Sequence, residues 1–238
     1  MANRDNTAPR TPLNRDRVLR AAIALADDAG LDSLSMRNLA QRLGVVPMAL
    51  YKHVANKDEL LDGMVDVLVA EIEPPDAGLD WKPAVRRRIL AARRTLQRHA
   101  WAARVIESRP LPTPAVLAYA DSMIGMFRVG GLSVDLTHHV MHALGSRMLG
   151  FTQELFDSSP GPDPQSAAPH DMSARYPHIV EIATRAVHDE HSVVGSGCDD
   201  QFEFEFSLDL LLDGIERLWR QGWSSTAPAH APAAAAEH

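Results

Sequence analysis

Residues 35–59 read SMRNLAQRLGVVPMALYKHVANKDE, and this stretch decides the fold. Ser35 is a natural N-cap, because its hydroxyl accepts from the free backbone N–H groups of a first helical turn. Leu39, Ala40 and Leu43 follow at helical spacing and form an inner face. Gly44 stops that helix, since glycine enters the left-handed conformation without penalty. Val45 turns back toward the core. Pro47 suits the first position of a second helix, where its missing N–H costs nothing. That helix is expected over 47–53, roughly two turns. Leu50 should point inward, leaving Pro47, Met48, Ala49, Tyr51, Lys52 and His53 outward. Asn56 then caps a third helix, and Glu59 can reach back to complete a capping box. The spacing is that of a helix–turn–helix, a unit that lays its second helix in the major groove of DNA.

Working outward, residues 14–29 predict a preceding helix. Val18, Ala22, Leu25 and Ala29 line one face, with Leu19, Ile23 and Ala26 beside them, and Gly30 ends it. Leu31 and Leu34 pack back, so three short helices share one apolar centre. On the outer side, Tyr51, Lys52, His53 and Lys57 bring together a phenol, an imidazole and two ammonium groups, which suit phosphate contacts. Lys57 opens a helix whose free N–H groups already favour a phosphate.

These residues resemble the tetracycline-repressor (TetR) family of one-component transcriptional regulators. The resemblance rests on Arg17-Val18-Leu19-Arg20-Ala21-Ala22, Ala29-Gly30-Leu31, Ser35-Met36-Arg37-Asn38-Leu39-Ala40, Leu43-Gly44-Val45, Ala49-Leu50-Tyr51-Lys52-His53-Val54 and Asn56-Lys57. Fainter likeness to the regulatory domain of the tetracycline-repressor type continues through Asp80-Trp81, Ser108-Arg109-Pro110, Gly131-Leu132-Ser133 and Ala143-Leu144-Gly145. The resemblance implies that Arg37 reaches a base edge, where arginine can donate two bonds to guanine. It implies base-facing positions at Pro47, Met48 and Ala49, and phosphate contacts from Tyr51, His53 and Lys57. Ser35 and Lys52 complete the expected DNA-binding set. Met48 and Ala49 carry no strong donors, so they could read only thymine methyl groups or DNA shape.

The remainder of the chain reads as helices only, so the expected fold is all-α. A three-helix DNA-binding domain over 13–58 precedes a larger helical regulatory and dimerisation domain over 59–223, between disordered tails at 1–12 and 224–238. A fourth helix is expected from Lys57 to about Ile72, ended by Pro74-Pro75. Residues 81–99 carry a basic face at Arg86, Arg87, Arg88, Arg93, Arg94 and Arg98, read as solvated or ion-paired. Further helices are expected over 101–108, 115–129, 133–156, 173–189 and 199–221, with a Pro-rich loop over 157–171. The last of these carries Phe202, Phe206, Leu208, Leu211, Leu212, Ile215, Leu218 and Trp219, more apolar surface than one neighbour can hide. In the TetR family the corresponding helices pair with a twofold mate. That symmetry sets two reading heads roughly 34–36 Å apart, or a multiple of it, on a near-palindromic operator.

The family also places an effector pocket between head and dimer bundle. Candidate lining residues are Trp101, Arg104, Met123, Met126, Phe127, Met141 and His142, residue types that equally serve as plain core. The family's metal-binding histidine falls at Val105-Ile106, and only Glu154 matches an acidic position of the drug site. A different and more apolar ligand than tetracycline with magnesium is therefore expected. His138 and His142 share a helical face, but no third ligand accompanies them, and neither a metal nor another cofactor is expected.

The chain has 238 residues, 45% of them hydrophobic, and a net charge of −7. Residues 1–60 hold nine Lys/Arg against seven Asp/Glu, while the remainder holds 15 against 24. A mildly basic head on an acidic body suits a regulator whose body stays off DNA. No signal peptide or span of about 18 apolar residues is present, so a soluble cytoplasmic protein is expected. Cys198, the single cysteine, excludes an intrachain disulfide. No phosphate loop, nucleophile elbow or dinucleotide fingerprint supports an enzyme. The expected function is a ligand-responsive repressor, and the alternative is a helical adaptor that uses the same head for protein contacts.

Overall fold

In this computed structural model the described residues are 12–75, 78–150, 175–178, 181 and 200–226. Asn14 caps the first helix, accepting from Arg17 N–H at 2.8 Å, and α1 (Arg15–Ala29) ends at Gly30. A single 3₁₀ turn over Leu31–Ser33 leads to Ser35, whose hydroxyl accepts from Asn38 N–H and starts α2 (Met36–Leu43). Gly44 adopts φ 66° and ψ 35°, a left-handed cap that any Cβ would strain. α3 (Pro47–Leu50) follows with Pro47 at its start.

The second helix is shorter than the expected 47–53. Its helical span closes at Leu50, and a turn carries the chain through His53, whose N–H donates to the Leu50 carbonyl at 2.8 Å. Asn56 caps α4 (Lys57–Ala70) as expected, accepting from Glu59 N–H at 2.8 Å. The reciprocal half of the capping box is displaced by one residue, since the Glu59 carboxylate accepts from Ala55 N–H at 2.7 Å.

Beyond the head come α5 (Trp81–Arg98), α6 (Trp101–Ser108), α7 (Pro114–Val129), α8 (Val134–Gly150) and a last described helix, α9 (Asp200–Arg220). Every regular element among the described residues is helical. The expected loop at 157–171 and most of the expected helix over 173–189 lie outside the described residues.

The chain divides into two compact units, Met1–Gly130 and Gly131–His238. The division falls well beyond the expected domain boundary after residue 58. The cause is α4, which packs on α1 as well as on α5, α6 and α7. One core cluster joins Val18, Ala22, Leu34, Leu39, Leu50 and Val54 of the head to Leu60, Met64, Val65 and Leu68 of α4, then to Ala102 and Val105 of α6. A head of about 50 residues is marginal by itself, and this shared core supplies what it lacks. Within the same unit α5 lies against α7, where Trp81 meets Phe127 at a centroid distance of 5.7 Å. Gly130 must be glycine for space, because a Cβ there would sit 2.5 Å from Trp81 Cβ.

In the second unit α8 packs on α9. Here the expected disordered tail needs correction at its start. Asp135, in the first turn of α8, accepts from Ser225 N–H at 2.6 Å, Ser225 hydroxyl at 2.7 Å and Ser224 hydroxyl at 3.1 Å. The His139 ring, one turn on, meets Trp223 edge-on at 5.5 Å. Residues 224–226 are thus fastened rather than loose. The Ser225 backbone bond foremost, then the Ser225 and Ser224 hydroxyls and the nearby His139, hold the Asp135 carboxyl below its ordinary value. Bonding to the charged form lowers the folded pKa, so the fastening is complete above the unfolded value of about 4. It fades as pH falls through the lowered folded value. Protection from hydrogen exchange at 221–226, relative to the intrinsic rate at each pH, should therefore be high at neutral pH and fall in acid, below about pH 4. Asp135→Asn should show the lowered protection already at pH 7. Equal exchange in both proteins at pH 7 would refute the fastening.

Candidate functional site

The helix–turn–helix presents a row of polar groups with no internal partners. Arg37, Tyr51, Lys52 and Lys57 are exposed, and Ser35, Ala49 and His53 half-buried. Among the described residues none bonds or pairs with the side chains of Arg37, Tyr51, Lys52, His53 or Lys57. Neighbouring cations are treated differently. Arg42 is tied to Asp28 at 2.7 Å, and Arg15 lies 3.7 Å from Glu59. Within this turn of the head, the groups left open are the ones expected to meet DNA. Ser35 already spends a lone pair on the α2 cap, and its hydroxyl hydrogen remains for an external acceptor.

Pro47 and Met48 project from the start of α3, with Met48 71% exposed. Val46, absent from the expected set, is 67% exposed beside them. Together they form an apolar tip suited to thymine methyl groups. The signal for Val46 was available. Val45 already supplies the inward residue of the turn, and adjacent residues of a turn do not both reach one core.

Asp27, near the end of α1, receives the Trp101 indole N–H at 2.7 Å and lies 2.9 Å from His99 Nδ1. Trp101 is buried in the cluster shared with the head. Its polar edge joins α6 to α1. Arg104 is exposed on α6. Of the other candidates, Met123 and Phe127 are buried on the inner face of α7 and Met126 is half-buried. On α8 in the second unit, Met141 is half-buried and His142 exposed, its ring 4.7 Å from that of His138. Among the described residues no three His, Cys, Asp or Glu side chains come together in a way that could hold a metal.

Two features of the first unit were not foreseen. Arg88, expected on a solvated basic face, is buried on α5 with its guanidinium carbon 4.7 Å from the Tyr119 ring centre. Arg109 lies 3.0 Å from Asp58 and 2.8 Å from Asp62, and Asp66 accepts from Ala115 N–H at 3.2 Å. Asp58, Asp62 and Asp66 repeat every fourth residue along α4, so the segment between α6 and α7 is fastened along one edge of that helix.

A folded helix–turn–helix with open donors on one side, rooted in a helical body, is the architecture of a one-component regulator. Comparison with known proteins gives the same class. Residues 18–64 match the family described as bacterial regulatory proteins, tetR family, and residues 74–219 match the tetracyclin repressor-like C-terminal domain. The HTH-type transcriptional repressor DrrR1 of Streptomyces coeruleorubidus is 30% identical, over 94% of this chain and 85% of its own. Among solved structures, ActR of Streptomyces coelicolor in complex with actinorhodin aligns with a TM-score of 0.64 at 26% identity, over 87% of this chain and 98% of that one. A TetR variant of Acinetobacter baumannii in complex with minocycline aligns with a TM-score of 0.63 at 26% identity, over 92% and 99%. The chain belongs to the TetR family of bacterial transcriptional regulators, a family of regulators rather than enzymes. No helix among the described residues is long and apolar enough to cross a membrane.

Proposed function

We propose that this regulator is a repressor that binds a near-palindromic operator as a homodimer and leaves it when a small molecule occupies the body. The observation that carries the reading is the open row Arg37, Tyr51, Lys52, His53 and Lys57 around an apolar tip at Val46 and Met48. Arg37 reads a base edge and the others grip phosphates, so binding is strongly salt-dependent. The twofold mate docks on the α9 stripe of Phe202, Phe206 and Leu210, three large apolar residues spaced by four and all more than half exposed. The effector sits in the body around Met123, Met126 and Phe127; that the solved relatives are in complex with actinorhodin and minocycline supports a small-molecule effector. Release follows if the ligand prefers the form whose two heads are wrongly spaced.

The test is selection from a random duplex pool at one near-physiological salt concentration, followed by binding to the recovered sequence. A near-palindrome is expected. Lys57→Ala should weaken binding evenly across sequences and reduce the salt slope by about 1. Arg37→Ala should cost about 1–3 kcal/mol and relax preference at one position of each half-site. A folded dimer that enriches no sequence would sink the reading and favour a protein-binding head.

A further inference from the structure

A buried charge needs a partner, and Arg88 has no acidic one among the described residues. The residue is only 9% exposed. Its Nη1 donates to the backbone carbonyl of Glu73, a neutral acceptor, and its Nε, fully buried, has no hydrogen-bond partner. The Tyr119 ring lies under the guanidinium, and the Tyr119 hydroxyl is likewise buried without a partner. Two donors are thus stranded within one contact between α5 and α7. Burial lowers the pKa of Arg88 and raises that of Tyr119 to about 12, so each group resists the charge state that water would allow it.

The surroundings say what could join them. Tyr119, Met123 and Phe127 recur every fourth residue along α7, the first half-buried and the other two buried. Ala84, Val85 and Ala92 of α5 are buried in the same layer. Arg88 is the one buried cation of α5 in this otherwise apolar layer. It also lines a shallow surface cleft with Glu73, Pro74, Pro75, Ala84, Arg87 and Ala91. Buried donors left unmade are rare in folded proteins, and a buried cation lacking a counter-charge is costly. A neutral carbonyl would satisfy one donor and leave the charge. A carboxylate supplies the charge and two acceptor oxygens, one for the guanidinium edge at Nε and one for the phenol.

We propose that Arg88 and Tyr119 form an acid-binding end of the effector site, and that the effector is a small carboxylic acid with an apolar body. This rests on the ligand-responsive reading above and names the chemistry of its ligand. No DNA is needed to test it. In thermal melts of the full chain, 2-naphthoate should raise the Tm in a concentration-dependent way, and the isosteric 2-naphthamide should not. Arg88→Met should abolish the naphthoate response. Without ligand it should itself raise the Tm by about 2–4 °C, because it removes a stranded charge. Tyr119→Phe, which deletes only the hydroxyl, should fold normally and weaken naphthoate binding several-fold. The proposal fails if naphthoate acts no better than naphthamide, or if its effect survives Arg88→Met. It also fails if Arg88→Met lowers the ligand-free Tm, which would mean that Arg88 is not a stranded charge. A normal naphthoate response with no compound able to release DNA would instead count against the repressor reading alone.

Discussion

Phe206→Glu is expected to yield a folded monomer that binds its operator at least about a hundredfold more weakly than the parent. Phe206 is 52% exposed at the middle of a stripe with Phe202 and Leu210, and its ring stacks on Phe202 at 6.3 Å. Burying a phenylalanine or leucine contributes about 1.5–3 kcal/mol, and a twofold contact uses every such residue twice. A glutamate there removes that gain and faces its own symmetry mate with a like charge. Operator binding suffers because two heads on one dimer act at high effective concentration, a benefit of about 10²–10⁴ that a monomer forfeits. Sedimentation gives the mass, circular dichroism the helical content, and titration of the selected duplex the affinity. A variant that stays dimeric would move the interface elsewhere on the second unit.

Leu50→Ala is the second large effect. Leu50 is the inward residue of a four-residue helix and has no exposed surface. Truncation removes its buried methyl groups and leaves a cavity between α2, α3 and the rest of the head core, at a cost of about 2–5 kcal/mol. In a chain of this size that corresponds to a Tm lower by roughly 5–15 °C. DNA affinity should fall further than stability predicts, since α3 is too short to hold its own orientation without this anchor. Met48→Ala is the matched control. The residue projects from the same turn but is exposed, so the melt should be unchanged while operator affinity drops. Equal melting of the two variants would mean that the inward face of α3 is assigned wrongly.

The head was legible because its rules are local. Ser35 and Asn56 cap within three residues of themselves, Gly44 terminates at its own φ, and Pro47 starts a helix at its own position. The apolar residues assigned to its core recur at a period that one helix reveals. What escaped depends on distance along the chain. Trp101 meets Asp27 across 74 residues, and Arg109 meets Asp58 across 51. Such pairs leave no periodic trace, and an arginine run such as 86–88 looks solvated until a neighbouring helix covers one member. α3 was overestimated because turn and helix share backbone angles near His53, and only the hydrogen-bond pattern separates them. The start of the tail was misjudged because its local composition says nothing of an aspartate 90 residues earlier.

The carboxylates along one edge of α4 have a mechanical consequence. Asp58, Asp62 and Asp66 span more than half of a 14-residue helix, so the 109–115 segment grips it over about two turns rather than at a point. A rod clasped in that way cannot bend at the clasp; it turns as a stiff lever about some fulcrum. At 1.5 Å per residue the lever is about 21 Å long. A tilt of about 5° then carries its tip through nearly 2 Å, enough to pull a hydrogen bond of ordinary length apart. Lys57 stands at that tip.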